Sequence, residues 1–432
     1  MIAKTREIEN TRRLTNSLPL IRYVDPDYTY YAITNARCAT GEVFVKPGDY
    51  VKVGQQIGIR KGPFFEQPIH STVSGTVVGT VKKFHRSGKL TEFIQVKNDK
   101  KDVFVDTAIE RTPEEIAKLT REDFVRITKE MSLVGLGGSS FPTYIKFQTT
   151  DPIDTICINA VECEPYLSAD HRIIMEFPFR VYRGISYAMQ AFKAKRAVIC
   201  IKSKYQDLYD CLTVAKRRFP DLNVEVKRVG NYYPQGWELE CIKTGLGIKV
   251  PAGTLPAKLG VMVFNVSTIV GLYKAIRYNL PVIKRNFTLT GDGINYPSNY
   301  RLRIGTSLQE IIEQSGGYKG DENKVMILGG PMMGANLVRD DAVITKTCTS
   351  CIILNEHKEV EEPCVRCASC VYSCPAGLQP VAIMQAVKNN DKETLKNKLN
   401  IKACILCGMC SYTCTSKIHL TDYCRKAKKL AL

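Results

Sequence analysis

Eight cysteines near the C-terminus repeat one pattern, C-x2-C-x2-C-x3-C: Cys364, Cys367, Cys370 and Cys374, then Cys404, Cys407, Cys410 and Cys414. This spacing holds a pair of [4Fe–4S] clusters, because short gaps let three thiolates converge on one cubane while the fourth reaches the other. The pattern therefore predicts two interlocked sites. One takes Cys364, Cys367, Cys370 and Cys414, and the other takes Cys404, Cys407, Cys410 and Cys374. Zinc ribbons use paired C-x2-C units and lack the final three-residue gap. Disulfides need an oxidising compartment, and the opening residues contain no apolar signal core. Pro375 follows the first run as the pattern expects, whereas Thr415 takes that place in the second.

With 432 residues the chain has room for several domains, and its 44% hydrophobic content suits buried cores. No apolar stretch is long enough to span a bilayer. Seventeen cysteines in a chain with no export signal point to a reducing cytoplasm. The formal charge is +18, which two clusters and a flavin phosphate would reduce without cancelling. That surplus suits acidic protein partners or an anionic membrane face. Nucleic acid fits poorly, since Lys and Arg are scattered and no aromatic–basic module stands out. The terminal Arg425–Leu432 stretch suits lipid headgroups or a fraying end.

The segments change texture along the chain. Residues 1–30 read as an irregular basic lead-in. Residues 31–110 are rich in Val, Ile, Gly and Pro-Gly turns, the signature of short strands. Their two similar halves look like a biotinyl/lipoyl-type barrel-sandwich hybrid. Lys61 lies between the halves without the flanking pattern of a modified lysine, so a docking role is expected. Residues 111–285 alternate strand and helix, which predicts a parallel α/β layer. Helix is expected over 112–130, 172–194 and 206–219, and strand over 155–160, 197–202 and 223–229. Residues 286–347 read as a β–α–β unit resembling a soluble-ligand-binding β-grasp (SLBB-like). Residues 348–432 carry the cysteine runs, with two short helices expected between them, as in a helical ferredoxin.

Two further motifs carry chemistry. Gly135-Leu136-Gly137-Gly138-Ser139-Ser140-Phe141-Pro142-Thr143 crowds glycines, so backbone amides can approach a phosphate or a planar ring, with Lys146 close behind as a cation. Asn159-Ala160-Val161-Glu162-Cys163-Glu164-Pro165 follows a short apolar strand, and parallel sheets bind ligands beyond their carboxyl ends. A plain glycine turn and a solvated acidic turn are the ordinary alternatives.

Together, the glycine loop, the acidic turn and the tandem cysteine runs resemble the RnfC family, the NADH-oxidising subunit of the Rnf membrane complex. They are also similar to the flavin-binding subunit of respiratory complex I. The resemblance spans most of the chain in the order barrel-sandwich, flavin domain, β-grasp and two-cluster ferredoxin. It implies FMN beside the glycine loop with NADH laid over it, and electrons that arrive in pairs and leave singly through the clusters. Gly135, Gly137, Gly138 and Lys146 would bind the flavin, with Asn159 in contact. Glu162 and Glu164 would line the nucleotide site. Gly236 and Glu238 match a second family loop, in which Trp237 replaces a small or acidic residue. Asn265 and Thr268 match a third, as flavin contacts. Hydride transfer needs no protein acid or base. The implied partners are membrane Rnf subunits and ferredoxin, at the cytoplasmic face of the inner membrane.

Two departures keep other readings open. The N-terminus lacks the Gly-Gly-x-His-Pro stretch of RnfC, and Cys348 and Cys351 form an extra C-x2-C. RnfC-like PrdC proteins carry a redox motif of this type, which would make the partner a soluble reductase such as proline reductase and the exit a dithiol. A flavin-free scaffold with ferredoxin clusters is the third reading. The remaining cysteines, Cys424 included, read as small buried hydrophobes.

Overall fold

The computed structural model describes residues 8, 11–23, 25–86, 88–251, 253–357 and 359–431. In the first segment, Tyr28–Ala32, Leu90–Asn98, Gly75–Phe84 and Tyr50–Val51 form one antiparallel sheet. Thr40–Val43, Gln56–Lys61 and Glu66–His70 form another. Inward-facing Val51, Ile57, Ile69, Val77, Ile94 and Val96 fill the sandwich, as the two-residue period of strands requires. Lys61 ends its strand and pairs with Glu42 at 3.0 Å.

The next segment holds a four-stranded parallel sheet in the order Val224–Val229, Arg196–Lys202, Thr155–Asn159, Val261–Asn265. The first strand in sequence lies inside the sheet, and the chain leaves it in both directions. The switch point is therefore between Thr155–Asn159 and Val261–Asn265, where doubly wound sheets bind ligands. Phe147 and Phe192, stacked at 5.0 Å, pack on one face of the sheet against Phe264 of strand Val261–Asn265.

Two of the expected helices are broken. Residues 172–194 fall into Ala169–Glu176 and Pro178–Phe192, because Pro178 has no N–H to continue the first helix and instead starts the second. Residues 112–130 divide into Pro113–Ala117 and Arg121–Glu130, each opened by a threonine capping box, at Thr112 and Thr120.

The β-grasp sheet runs Leu20–Arg22, Ser298–Arg303, Lys284–Thr290, Ser350–Asn355, Lys324–Leu328, Ala335–Leu337, with helix Leu308–Gln314 contributing to its core. Two strands come from outside the stretch expected to form it. Leu20–Arg22 belongs to the lead-in, which also carries a 3-10 turn at Thr11–Leu14. Ser350–Asn355 pairs with both Lys284–Thr290 and Lys324–Leu328, so the Cys348/Cys351 segment lies within this sheet.

In the cysteine-rich tail, Ser369–Tyr372 and Met409–Tyr412 are single turns that follow equivalent points in the two runs. Longer helices Pro380–Lys388 and Leu420–Leu430 pack against each other. The stretch after Asp391, expected as a second helix, forms a π-helical turn at Thr394–Lys398 and a 3-10 turn at Ile401–Ala403. Among the described residues no helix is long and apolar enough to cross a membrane.

Candidate functional site

Asn159 and Asn265 end the two strands that flank the switch point, and they are register partners across it. Each does local work there. Asn159 Oδ1 accepts from Val161 N, and its Nδ2 donates to the Gly236 carbonyl at 2.8 Å. Asn265 caps helix Val266–Tyr278 by accepting from Ser267 N, and its Nδ2 donates to Asp170 at 2.7 Å. The glycine loop lies on this pair. A Cβ on Gly137 would stand 2.8 Å from Asn265 Cγ, so only glycine lets the loop come so close. Leu136 N donates to Thr268 Oγ1 at 2.9 Å, tying the loop to the helix start. Gly138, at φ +108°, has no atom within 4 Å of where a Cβ would stand. Its backbone is thus bare on that side.

The other expected contacts divide. Gly135 closes the loop through Phe141. Lys146 is held beneath the sheet end: its Nζ donates to the Val263 carbonyl at 2.6 Å and lies 5.3 Å from the Phe264 ring. Burial lowers its pKa, and Glu238 partly opposes that. Glu238 is exposed at the start of helix Glu238–Leu246.

Glu162 faces inward. It accepts from the first N–H groups of helix Ala169–Glu176, at Asp170 and His171, and pairs with buried Arg12 at 3.6 Å. Glu164 is half-buried under the β-grasp loop, where it accepts from Met332 N at 3.0 Å, and desolvation pushes its pKa up to about 7.

Arg12 and Tyr233 are the residues that motif reading misses. Arg12 reaches from the lead-in into the acidic turn, donating to the Glu162 and Glu164 carbonyls and to Tyr205. Tyr233, 1% exposed, donates from its hydroxyl to the carbonyl of Cys407 at 2.8 Å. With Cys163, Met332 and Met409 it forms one apolar contact between the switch-point loops and the cysteine tail. Tyr233 is visible in the sequence only as the neighbour of Gly236.

Two cavities divide the eight tail cysteines. Cys364, Cys367, Cys370 and Cys414 border one, and Cys374, Cys404, Cys407 and Cys410 border the other. Each takes three cysteines from one run and one from the other, the donor set a cubane requires. The loops repeat in backbone as well. Arg366 and Leu406 have φ of +55° and +53°, and Ala368 and Gly408 have +58° and +81°. Left-handed residues at matched positions curl both loops around their cavities. Cys424, on the last helix, borders the second cavity too.

The extra pair is placed differently. Cys348 is 1% exposed and Cys351 fully buried, in the β-grasp core with Leu289 and Leu328. Burial raises the Cys351 thiol pKa strongly. Exchange needs an accessible thiolate, and neither residue offers one in this conformation.

Four family models match in chain order: the RnfC barrel sandwich hybrid domain over residues 6–101, the Nuo51 FMN-binding domain over 128–274, the SLBB domain over 286–336 and the 4Fe-4S dicluster domain over 363–419. The RnfC-type member of the Na(+)-translocating ferredoxin:NAD(+) oxidoreductase complex of Acetobacterium woodii is 34% identical over 351 residues, 80% of this chain and 78% of that protein. This chain belongs to the RnfC family. The corresponding member of the proton-translocating ferredoxin:NAD(+) oxidoreductase complex of Clostridium ljungdahlii is 30% identical over 86% of this chain and 81% of its own length. Against its counterpart in the ion-translocating oxidoreductase complex of Haemophilus influenzae, identity is 31% over 87% of this chain, which spans only 57% of that longer relative. A chain of an NAD+-reducing [NiFe]-hydrogenase shares the fold at TM-score 0.51 and 15% identity, over 73% of this chain and 61% of its own. An RnfC chain of this build is an oxidoreductase component with a flavin domain and a dicluster iron–sulfur domain.

Proposed function

We propose that this chain moves electrons between NADH and partner subunits of an Rnf-type complex, through FMN and two [4Fe–4S] clusters. Bound FMN exchanges electron pairs with nicotinamide and single electrons with the clusters. Gly135, Gly137 and Gly138 present backbone to the flavin, and Asn159, Asn265 and Thr268 fix the loop and strand ends around it. Lys146 contributes a positive charge from beneath. Gly236 and Glu238 are left to orient the nucleotide, because Glu162 already holds the helix start and Arg12, and Glu164 already accepts from Met332 N. Cys364, Cys367, Cys370 and Cys414 hold one cluster. Cys404, Cys407, Cys410 and Cys374 hold the other. Their thiolates supply no proton chemistry; they set the clusters' position.

The observation that carries this reading is Tyr233. Its loop continues into Gly236, whose carbonyl holds Asn159, while its hydroxyl holds Cys407. One loop therefore touches both the switch point and the nearer cluster cavity, so the two cofactors would sit at adjoining ends of one buried contact. Partners would receive electrons from the outer cluster, where Cys367 is exposed. The relatives' complexes suggest a membrane-attached assembly, with this chain peripheral on its cytoplasmic side.

The test uses Cys407→Ser in anaerobically purified protein. Flavin content and NADH oxidation by an artificial flavin-level acceptor should stay near wild type. NAD+ reduction driven by reduced ferredoxin in the assembled complex should fall at least ten-fold. Undiminished ferredoxin-driven reduction in a variant shown to lack that cluster would overturn the proposal.

A further inference from the structure

Beside the glycine loop, at Gly138, Ser139 and Ser140, the barrel-sandwich, flavin and β-grasp segments line a cavity of about 370 Å³. That is enough for a small metabolite, since such sites run from roughly 300 Å³ upward. Its wall includes Arg37, Arg60, Arg86 and Lys346 together with His70, and none of the described residues lining it is Asp or Glu.

The cations are anchored through neutral groups: carbonyls, one hydroxyl and, for Arg37, the Phe141 ring at 5.9 Å. Arg37 donates to the Ser139 carbonyl at 2.7 Å, and Arg60 to the Ala32 carbonyl at 2.6 Å. Arg86 donates to the Thr347 carbonyl at 3.0 Å and to that residue's hydroxyl, and Lys346 donates to the Ser132 carbonyl at 2.9 Å. These bonds fix the heads in place but cancel no charge. None of the four pairs with a carboxylate among the described residues. His70, 7% exposed, has a buried Nδ1 with no partner. The electrostatic stress is visible: burial with Arg60 alongside pushes Lys346 down to about 7, and burial takes Arg60 down to about 10. Arg60 and Lys346 are held together away from water, with Arg86 half-buried and Arg37 at the exposed rim, and like charges so placed are unfavourable unless an anion joins them.

We propose that this cavity binds a phosphorylated small molecule, with its phosphate groups among Arg37, Arg60, Arg86 and Lys346. Guanidinium forks match phosphate oxygens, and the lysine adds a point charge. Tyr31, Val134 and Ile304 supply the apolar wall for the organic part. Of the residues assigned to flavin or nucleotide above, only Gly138 lines this space. The proposal therefore stands on the cavity itself, whether or not flavin occupies the switch point.

The experiment is calorimetric titration of the anaerobic holoprotein with inorganic pyrophosphate. One-to-one binding is expected, weakening at least ten-fold in Arg60→Gln and in Arg86→Gln. Both variants are checked for unchanged flavin and iron content. Absence of binding to the wild type, or affinity unchanged in both variants, overturns the proposal. Repeating the titration with saturating NAD+ identifies the source. Displacement assigns the site to the dinucleotide's own pyrophosphate, and persistence assigns it to a separate phosphorylated ligand. Either supports an anion site here.

Discussion

Glu162 and Glu164 stand two positions apart in one turn and do different work. Glu162 completes a buried pair with Arg12 and closes a helix start, whereas Glu164 sits under Met332, raised by burial to about 7. Removing one member of a buried pair strands the other charge, at a cost of about 3–5 kcal/mol. Arg12→Ala should therefore lower the melting temperature markedly, and Arg12→Ala combined with Glu162→Gln should recover much of the loss. If the single variant melts like wild type, the lead-in does not hold the turn.

His70 gives a pH signature. Burial, with Lys346 and Arg60 alongside, holds its folded pKa near 3, below the ordinary 6.5. The unfolded chain thus binds a proton below pH 6.5 that the folded chain refuses. Stability is full above 6.5 and declines as pH falls toward 3. Between pH 7.5 and 5.5, in phosphate-free buffer, wild type should lose about 1 kcal/mol more than His70→Gln in denaturant unfolding. Parallel pH profiles would contradict this.

Among elements, helices Pro178–Phe192 and Val266–Tyr278 approach so closely that a Cβ on Gly184 would strike the backbone carbonyl of Ile269. Gly184→Ala must push the helices apart, and overpacking of this kind costs about 1–3 kcal/mol. Because Val266–Tyr278 starts at Asn265, the same change should weaken flavin retention on dialysis. Unaltered melting would show that the crossing can relax.

Element boundaries show where local pattern stops. The helical period over 172–194 is real, yet Pro178 divides it, a break that the residue itself announces. By contrast, the apolar run Cys351-Ile352-Ile353-Leu354 reads locally as strand, but nothing local places Ser350–Asn355 in the centre of the sheet that holds Lys284–Thr290. Its partners are distant in sequence, and only pairing places Cys348 and Cys351 in a core.

Across the whole molecule, the cysteine runs, the glycine loop and the order of segments are legible because each is a local spacing. The cross-segment contacts are not. Strand order makes Asn159 and Asn265 neighbours, and tertiary packing brings Arg12 to the acidic turn, Tyr233 to Cys407 and four cations to one cavity. The Tyr233–Cys407 contact joins the switch-point loops to one of the two cysteine-lined cavities, and the central claim of the proposed function is that electrons use that join. The direct measurement reduces the clusters anaerobically with limiting dithionite, mixes the protein with NAD+, and follows NADH formation with and without FMN. The account predicts prompt NADH from the flavin-loaded protein, none from the stripped protein, and recovery on adding FMN back. NADH forming equally fast from the stripped protein would contradict it.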